Sequence, residues 1–91
     1  MTYEREGIAA HSPEEIERLL RIWGEDRPAD IEIYIRIALM YKQGAKQVAI
    51  AKSIGRSNET VRQKLDKINR ILLRQTYIEI EQAKAETAYD R

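Results

Sequence analysis

Apolar residues recur at helical spacing along most of this chain, and the places where the spacing breaks divide it into elements. Ile16, Leu19, Leu20 and Trp23 fall on one face of a helix. Ser12 precedes them as an N-cap, Pro13 stands at the first helical position and Glu15 completes a capping box, so the pattern predicts a helix over 13–23. Gly24 suits the left-handed residue that ends such a helix. Residues 1–11 include Gly7 and hold no steady period, and they read as a flexible N-terminal tail.

The next segment carries two conflicting periods. Ile31, Ile33, Ile35 and Ile37 alternate with Glu32, Tyr34 and Arg36, as in a half-buried strand. The apolar run then continues through Ala38, Leu39, Met40 and Tyr41 without alternation, Asp26 and Pro28 supply a helix start, and Gly44 supplies a stop. A helix over about 27–43 is the better account, apolar on more than one side because it packs against several neighbours. A short helix over 46–54 follows, then a turn at Gly55 and a helix from Ser57. Val61, Leu65, Ile68 and Leu72 form its first stripe, which drifts to Leu73, Tyr77, Ile80 and Ala83 with no Gly or Pro to stop it. Continued to about residue 87, that helix would be roughly 45 Å long. One small domain cannot cover both faces of such a rod, so its far half is expected to meet another chain. The alternative is a break near Arg74, with QTYIEIE as a short strand.

Composition narrows the class. A chain of 91 residues, 43% apolar and 34% charged, makes one small helical domain with a modest core, for which a second copy would be useful. With no cysteine there is neither disulfide nor thiolate metal site. No apolar run approaches the roughly 18 residues of a membrane span, and no apolar stretch follows a basic start, so a cytoplasmic protein is expected. The net charge of +1 hides an uneven distribution: −4 over residues 1–40, +7 over 41–75 and −2 over 76–91. A basic middle between acidic ends would turn that middle toward a polyanion.

Inside the basic middle, QVAIAKSIGRSNETVRQKLD meets the physical demands of a helix-turn-helix unit. Ala51 is the small residue where two helices cross closely, and Gly55, four positions later, tolerates the positive φ of the turn. Ile50, Ile54, Val61 and Leu65 are placed to hold the two helices together and seat them on the preceding one. Ser57 is placed to cap the second helix.

The longer stretch KQGAKQVAIAKSIGRSNETVRQKL resembles the helix-turn-helix of bacterial, phage and plasmid transcription regulators and of the fourth region of sigma factors, with the motif over 46–66. Arg56 and Lys64 depart from the pattern, standing where many members have an apolar residue; their long stems can cover apolar surface. More faintly, RLLRIWG followed by IALMYKQG is similar to phage late antitermination regulators. The resemblance implies an all-α fold: a helix-turn-helix domain of about four helices over 12–73, and a C-terminal helical extension over 74–91 as a candidate dimerisation element. Carried over position by position, it makes Ser57, Asn58, Glu59, Arg62, Gln63 and Asp66 candidates to contact bases. Arg62 could donate two hydrogen bonds to guanine, Gln63 or Asn58 could pair with adenine, and Glu59 could accept from a cytosine amine. Lys46, Gln47, Lys52, Arg56, Lys67 and Arg70 are candidates for phosphate.

No catalytic or metal-binding constellation accompanies the motif. His11 is the only histidine and sits beside a helix cap, Ser53, Ser57 and Thr60 have no histidine nearby in sequence, and Glu79, Glu81 and Glu86 read as a solubilising face. Trp23, Tyr34, Tyr41 and Tyr77 lie in apolar stripes and read as core or subunit contacts. No cofactor is implied, and no enzyme. The expected function is that of a homodimeric regulator of double-stranded DNA, most simply a repressor, joined through the Ile-rich helix or the C-terminal one. It would set two reading helices in major grooves about 34 Å apart. Two rivals remain open: an adaptor for RNA polymerase or for a phage or plasmid protein, and an accessory protein of partition or recombination.

Overall fold

The computed structural model describes residues 6–26 and 28–89, which form five α-helices and no strand. They are α1 (Glu6–Ala9), α2 (Pro13–Trp23), α3 (Pro28–Lys42), α4 (Gln47–Ile54) and α5 (Asn58–Tyr89), with a 3₁₀ turn over Gly24–Asp26. Residues 1–5 of the expected tail, Arg27, and the last two residues of the extension lie outside the described residues.

The capping box at the start of α2 is formed. Ser12 Oγ accepts from the Glu15 backbone N–H at 3.2 Å, and the Ser12 N–H donates back to Glu15 Oε1 at 3.3 Å. Ile16, Leu19 and Leu20 are buried on the inner face. The helix does not end in a left-handed glycine as expected, since Gly24 has φ −85°. Its lack of a side chain serves packing instead: a Cβ there would lie 2.5 Å from Ile31 Cδ1. Glycine is needed so that α3 can start against the end of α2.

The strand-like alternation in α3 reflects burial on several sides of one helix. Ile31, Tyr34, Ile35, Ile37 and Ala38 are all buried, and α3 packs against each of the other four helices. Trp23 stacks on Tyr34 with ring centroids 5.6 Å apart. Gly44, with φ 99°, turns the chain out of α3.

In α5, Val61, Leu65, Ile68 and Leu72 are fully buried, in the expected 4-3-4 spacing. The helix continues through Arg74 without a break, 32 residues in all and about 48 Å long at 1.5 Å per residue. The short strand at QTYIEIE does not form.

One part of the N-terminal span is ordered where the sequence suggested a tail. Ile8 is buried, and α1 lies against α5 closely enough that a Cβ on Gly7 would come within 2.7 Å of the Asn69 carbonyl oxygen. The Gly7 N–H donates to Asn69 Oδ1 at 2.7 Å, and Lys42 Nζ donates to the Ala9 carbonyl at 2.8 Å. The His11 ring N–H at Nδ1 donates to the Gly7 carbonyl, while Nε2 is hydrogen-bonded to Thr76 Oγ1 at 2.7 Å. His11 is therefore a structural clasp between the N-terminal segment and α5.

Candidate nucleic-acid interface

The link between α4 and α5 takes its shape from three residues. Gly55 adopts φ 70° and ψ 35°, the left-handed conformation open to glycine at little cost, and the following Arg56 N–H donates to the Ala51 carbonyl at 3.0 Å. Ser57 Oγ accepts from the Thr60 backbone N–H at 3.1 Å, fixing where α5 begins. Below this turn Ile50, Ala51, Val61 and Leu65 are buried and Ile54 is partly so, holding the two helices against each other and against α3. Arg36 of α3 also donates to Ser53 Oγ of α4 at 3.2 Å. The expected turn at Gly55, the cap at Ser57 and the buried apolar contacts are formed.

What it presents outward is the start of α5. At 100° per residue, Asn58, Glu59, Arg62, Gln63 and Asp66 fall within about 140° of the helix circumference, beginning beside the buried stripe at Asn58 and turning away from it. Ser57, Asn58, Glu59, Arg62 and Gln63 are exposed and Asp66 is half-buried. These side chains are engaged with one another. Glu59 accepts from both Arg62 Nε, at 3.2 Å, and Arg62 Nη2; Asp66 Oδ2 accepts from Arg62 Nη1 at 3.2 Å. Gln63 Nε2 also donates to Glu59, at 3.3 Å. Hydrogen bonding and charge attraction from Arg62 hold the Glu59 carboxyl below its ordinary range, and the same contacts raise Arg62. The guanidinium is thereby held between two carboxylates. Exposed ion pairs of this kind are weak against solvent, so Arg62 can exchange its partners for a base edge or a phosphate.

The basic candidates divide by position. Lys46, Lys52 and Arg56 are exposed on α4 and its turn, and Arg70 is exposed on α5, one or two turns past Arg62 and Asp66. Gln47 is half-buried at the first turn of α4, whose cap residue Lys46 makes no side-chain cap hydrogen bond. Lys67 points to a different side of α5 from Arg62. Its ammonium lies 5.6 Å from the Trp23 ring centroid and 5.8 Å from that of Tyr34. Lys64, one of the two departures from the usual motif, behaves similarly, with its ammonium 5.1 Å from the Tyr34 centroid and its stem half-buried. An apolar residue is replaced here by a lysine stem capped by a cation over an aromatic ring.

Sequence reasoning missed one property of this surface. Leu73, Tyr77 and Ile80 lie on the same side of α5 as Glu59, Arg62 and Asp66, and they are exposed by 44%, 64% and 49%. The signal was in the spacing: 59, 62, 66, 73, 77 and 80 run as a single 3-4 stripe outside the buried one. Among the described residues no group of three or more His, Cys, Asp or Glu could hold a metal ion, and no helix is long and apolar enough to cross a membrane. Comparison with protein-family models, with curated proteins and with solved structures gives no match, so the interface stands on the chain's own geometry.

Proposed function

We propose that this protein is a sequence-specific regulator that binds double-stranded DNA in the cytoplasm, reads the major groove with the first turns of α5, and acts most simply by occupying a promoter. The observation that carries the reading is the α4–Gly55–α5 unit. A capped helix start, seated on α3 through Ile50, Val61 and Leu65, projects Asn58, Glu59, Arg62 and Gln63 beyond the body of the molecule. Those side chains have the donors and acceptors that base edges require, and Lys46, Lys52, Arg56 and Arg70 flank them with the positive charge that a phosphate backbone requires. Selection of bound sequences from random duplex DNA tests this. A short consensus is expected from the native chain, with preference relaxed at one base pair for Arg62→Ala. Binding that is equal on all sequences, or none, would overturn it.

A second reading is favoured by one specific feature: the apolar stripe of Leu73, Tyr77 and Ile80, which no nucleic acid backbone needs. An adaptor that docks on RNA polymerase or another protein would use it and contact DNA only weakly. Retention of polymerase on the immobilised chain, together with no sequence selected from random DNA, would favour the adaptor.

A further inference from the structure

The distal half of α5 is covered on one side only. Arg18 of α2 reaches furthest along it, in a bidentate pair with Glu79 at 2.8 and 3.2 Å. Beyond that point Ile80 and residues 81–86 are all exposed. Helical turns without tertiary contact are marginal in water. Three of the five large exposed apolar side chains of the described residues, Leu73, Tyr77 and Ile80, lie together on this segment, while Ile22 and Val48 stand apart on α2 and α4. The Ile-rich α3, the other expected dimer element, has Ile31, Ile35 and Ile37 buried in the monomer, with Ile33, Leu39, Met40 and Tyr41 partly buried against the same core.

The charges beside the stripe select what covers it. Arg74 and Glu81 sit on the same edge, seven residues apart, and so nearly one above the other along the helix. In an antiparallel helix pair each edge meets the same edge of its partner. Stacking Leu73 of one copy on Ile80 of the other then sets Arg74 against Glu81 twice, once at each end of the contact. Lys84, 3.8 Å from Glu81 of its own chain, then comes beside Arg70 of the second copy and within about a turn of its Asp66, so the favourable pairing rests on Arg74 and Glu81. The geometry points to a second copy of this chain as the occupant, paired antiparallel through Leu73, Tyr77 and Ile80 with the two-fold axis near residues 76 and 77. This pairing does not depend on what the start of α5 binds.

The chain has no cysteine, so single cysteines report proximity without background. In the antiparallel pair, position 70 lies beside position 84 of the other copy, whereas 70 to 70 and 84 to 84 are each separated by about 20 Å along the axis. Full-length Arg70→Cys and Lys84→Cys chains, mixed and treated with a short bismaleimide, are expected to give heterodimers, with little product from either alone. Sedimentation equilibrium is expected to show dimer for the native chain and monomer for Ile80→Glu, an exposed position whose helix content should be unchanged. Arg74→Glu and Glu81→Arg should each weaken the dimer several-fold, and the double variant should recover it. A native chain that stays monomeric at its highest soluble concentration would overturn the pairing. So would self-crosslinking of either single cysteine variant, or a double charge variant no better than the singles. Each of these outcomes leaves the selection of DNA sequences unaffected, so the two proposals fail separately.

Discussion

The two halves of α5 share one rigid helix and one exposed side, yet they differ in chemistry and in how they are held. From Asn58 to Leu72 the inner stripe is fully buried and the outer side carries Glu59, Arg62, Gln63 and Asp66 in mutual hydrogen bonds. From Leu73 onward the inner side is only partly covered and the outer side carries Leu73, Tyr77 and Ile80 before Lys84. Stability therefore resides in the first half and unsatisfied surface in the second. The surface each half leaves over is polar at the start of α5 and carries Leu73, Tyr77 and Ile80 further on.

The largest effects should separate the halves by stability. Leu65→Ala removes a fully buried side chain at the junction of α5 with the body and is expected to cost about 2–5 kcal/mol in urea unfolding. Ile80→Ala should leave the unfolding of the dilute monomer almost unchanged; an equal loss from both would erase the contrast. Gly24→Ala tests the packing that positions α3 beneath the reading helix. The added Cβ meets Ile31 at 2.5 Å, and a loss of about 1–3 kcal/mol is expected.

Smaller changes separate the halves by binding. Arg62→Ala should lose roughly tenfold in affinity for the preferred sequence and relax choice at one base pair. Lys52→Ala should weaken all sequences alike and reduce the slope of log K against log salt by about one. Tyr77→Glu should bind the preferred DNA no worse than the native chain by fluorescence anisotropy. A large loss there would mean that the apolar half takes part in reading. The smallest effect concerns Glu79, whose carboxyl is held below its ordinary value of 4.5 mainly by hydrogen bonding from Arg18. A lowered carboxyl stabilises the fold above its ordinary range and loses that contribution as pH falls through the lowered value. The melting temperature of the native chain should thus exceed that of Glu79→Gln at neutral pH, with the gap closing in acid.

Helices whose stripes are local were legible in the sequence. Ser12, Pro13 and Glu15 gave the start of α2, Gly55 and Ser57 gave the turn, and Val61, Leu65, Ile68 and Leu72 gave the inner face of α5. The length of α5 followed from the lack of a breaker after Leu72. α3 was legible only by overruling its alternation, since a helix buried on several sides has no polar face to set its period. α1 was not legible, because the contacts that order it are far away in sequence: Gly7 with Asn69, and His11 with Thr76. Gly24 was read for its conformational freedom, whereas its use is close approach to Ile31, which only the assembled helices reveal. At the interface the outward positions followed from helical spacing. The lock that Glu59 and Asp66 place on Arg62 was available from the i, i+3 and i, i+4 rule but is easily passed over when each side chain is considered as a reader of bases. Lys67 is a phosphate candidate by its charge, and its ammonium also lies near the rings of Trp23 and Tyr34, which the sequence did not show.

The shared side of α5 has a quantitative consequence for gene dosage. In the proposed antiparallel pair the two Arg62 side chains face opposite ways and lie about 44 Å apart along the axis, so one straight duplex would not meet both. On the two proposals together, the DNA-competent form would be the monomer, and above the dimerisation constant its concentration would grow only as the square root of the total. Doubling the amount of protein would raise the active form by about 1.4-fold, by mass action alone. A helix whose two ends present through the same side would thereby buffer its own output against fluctuations in expression.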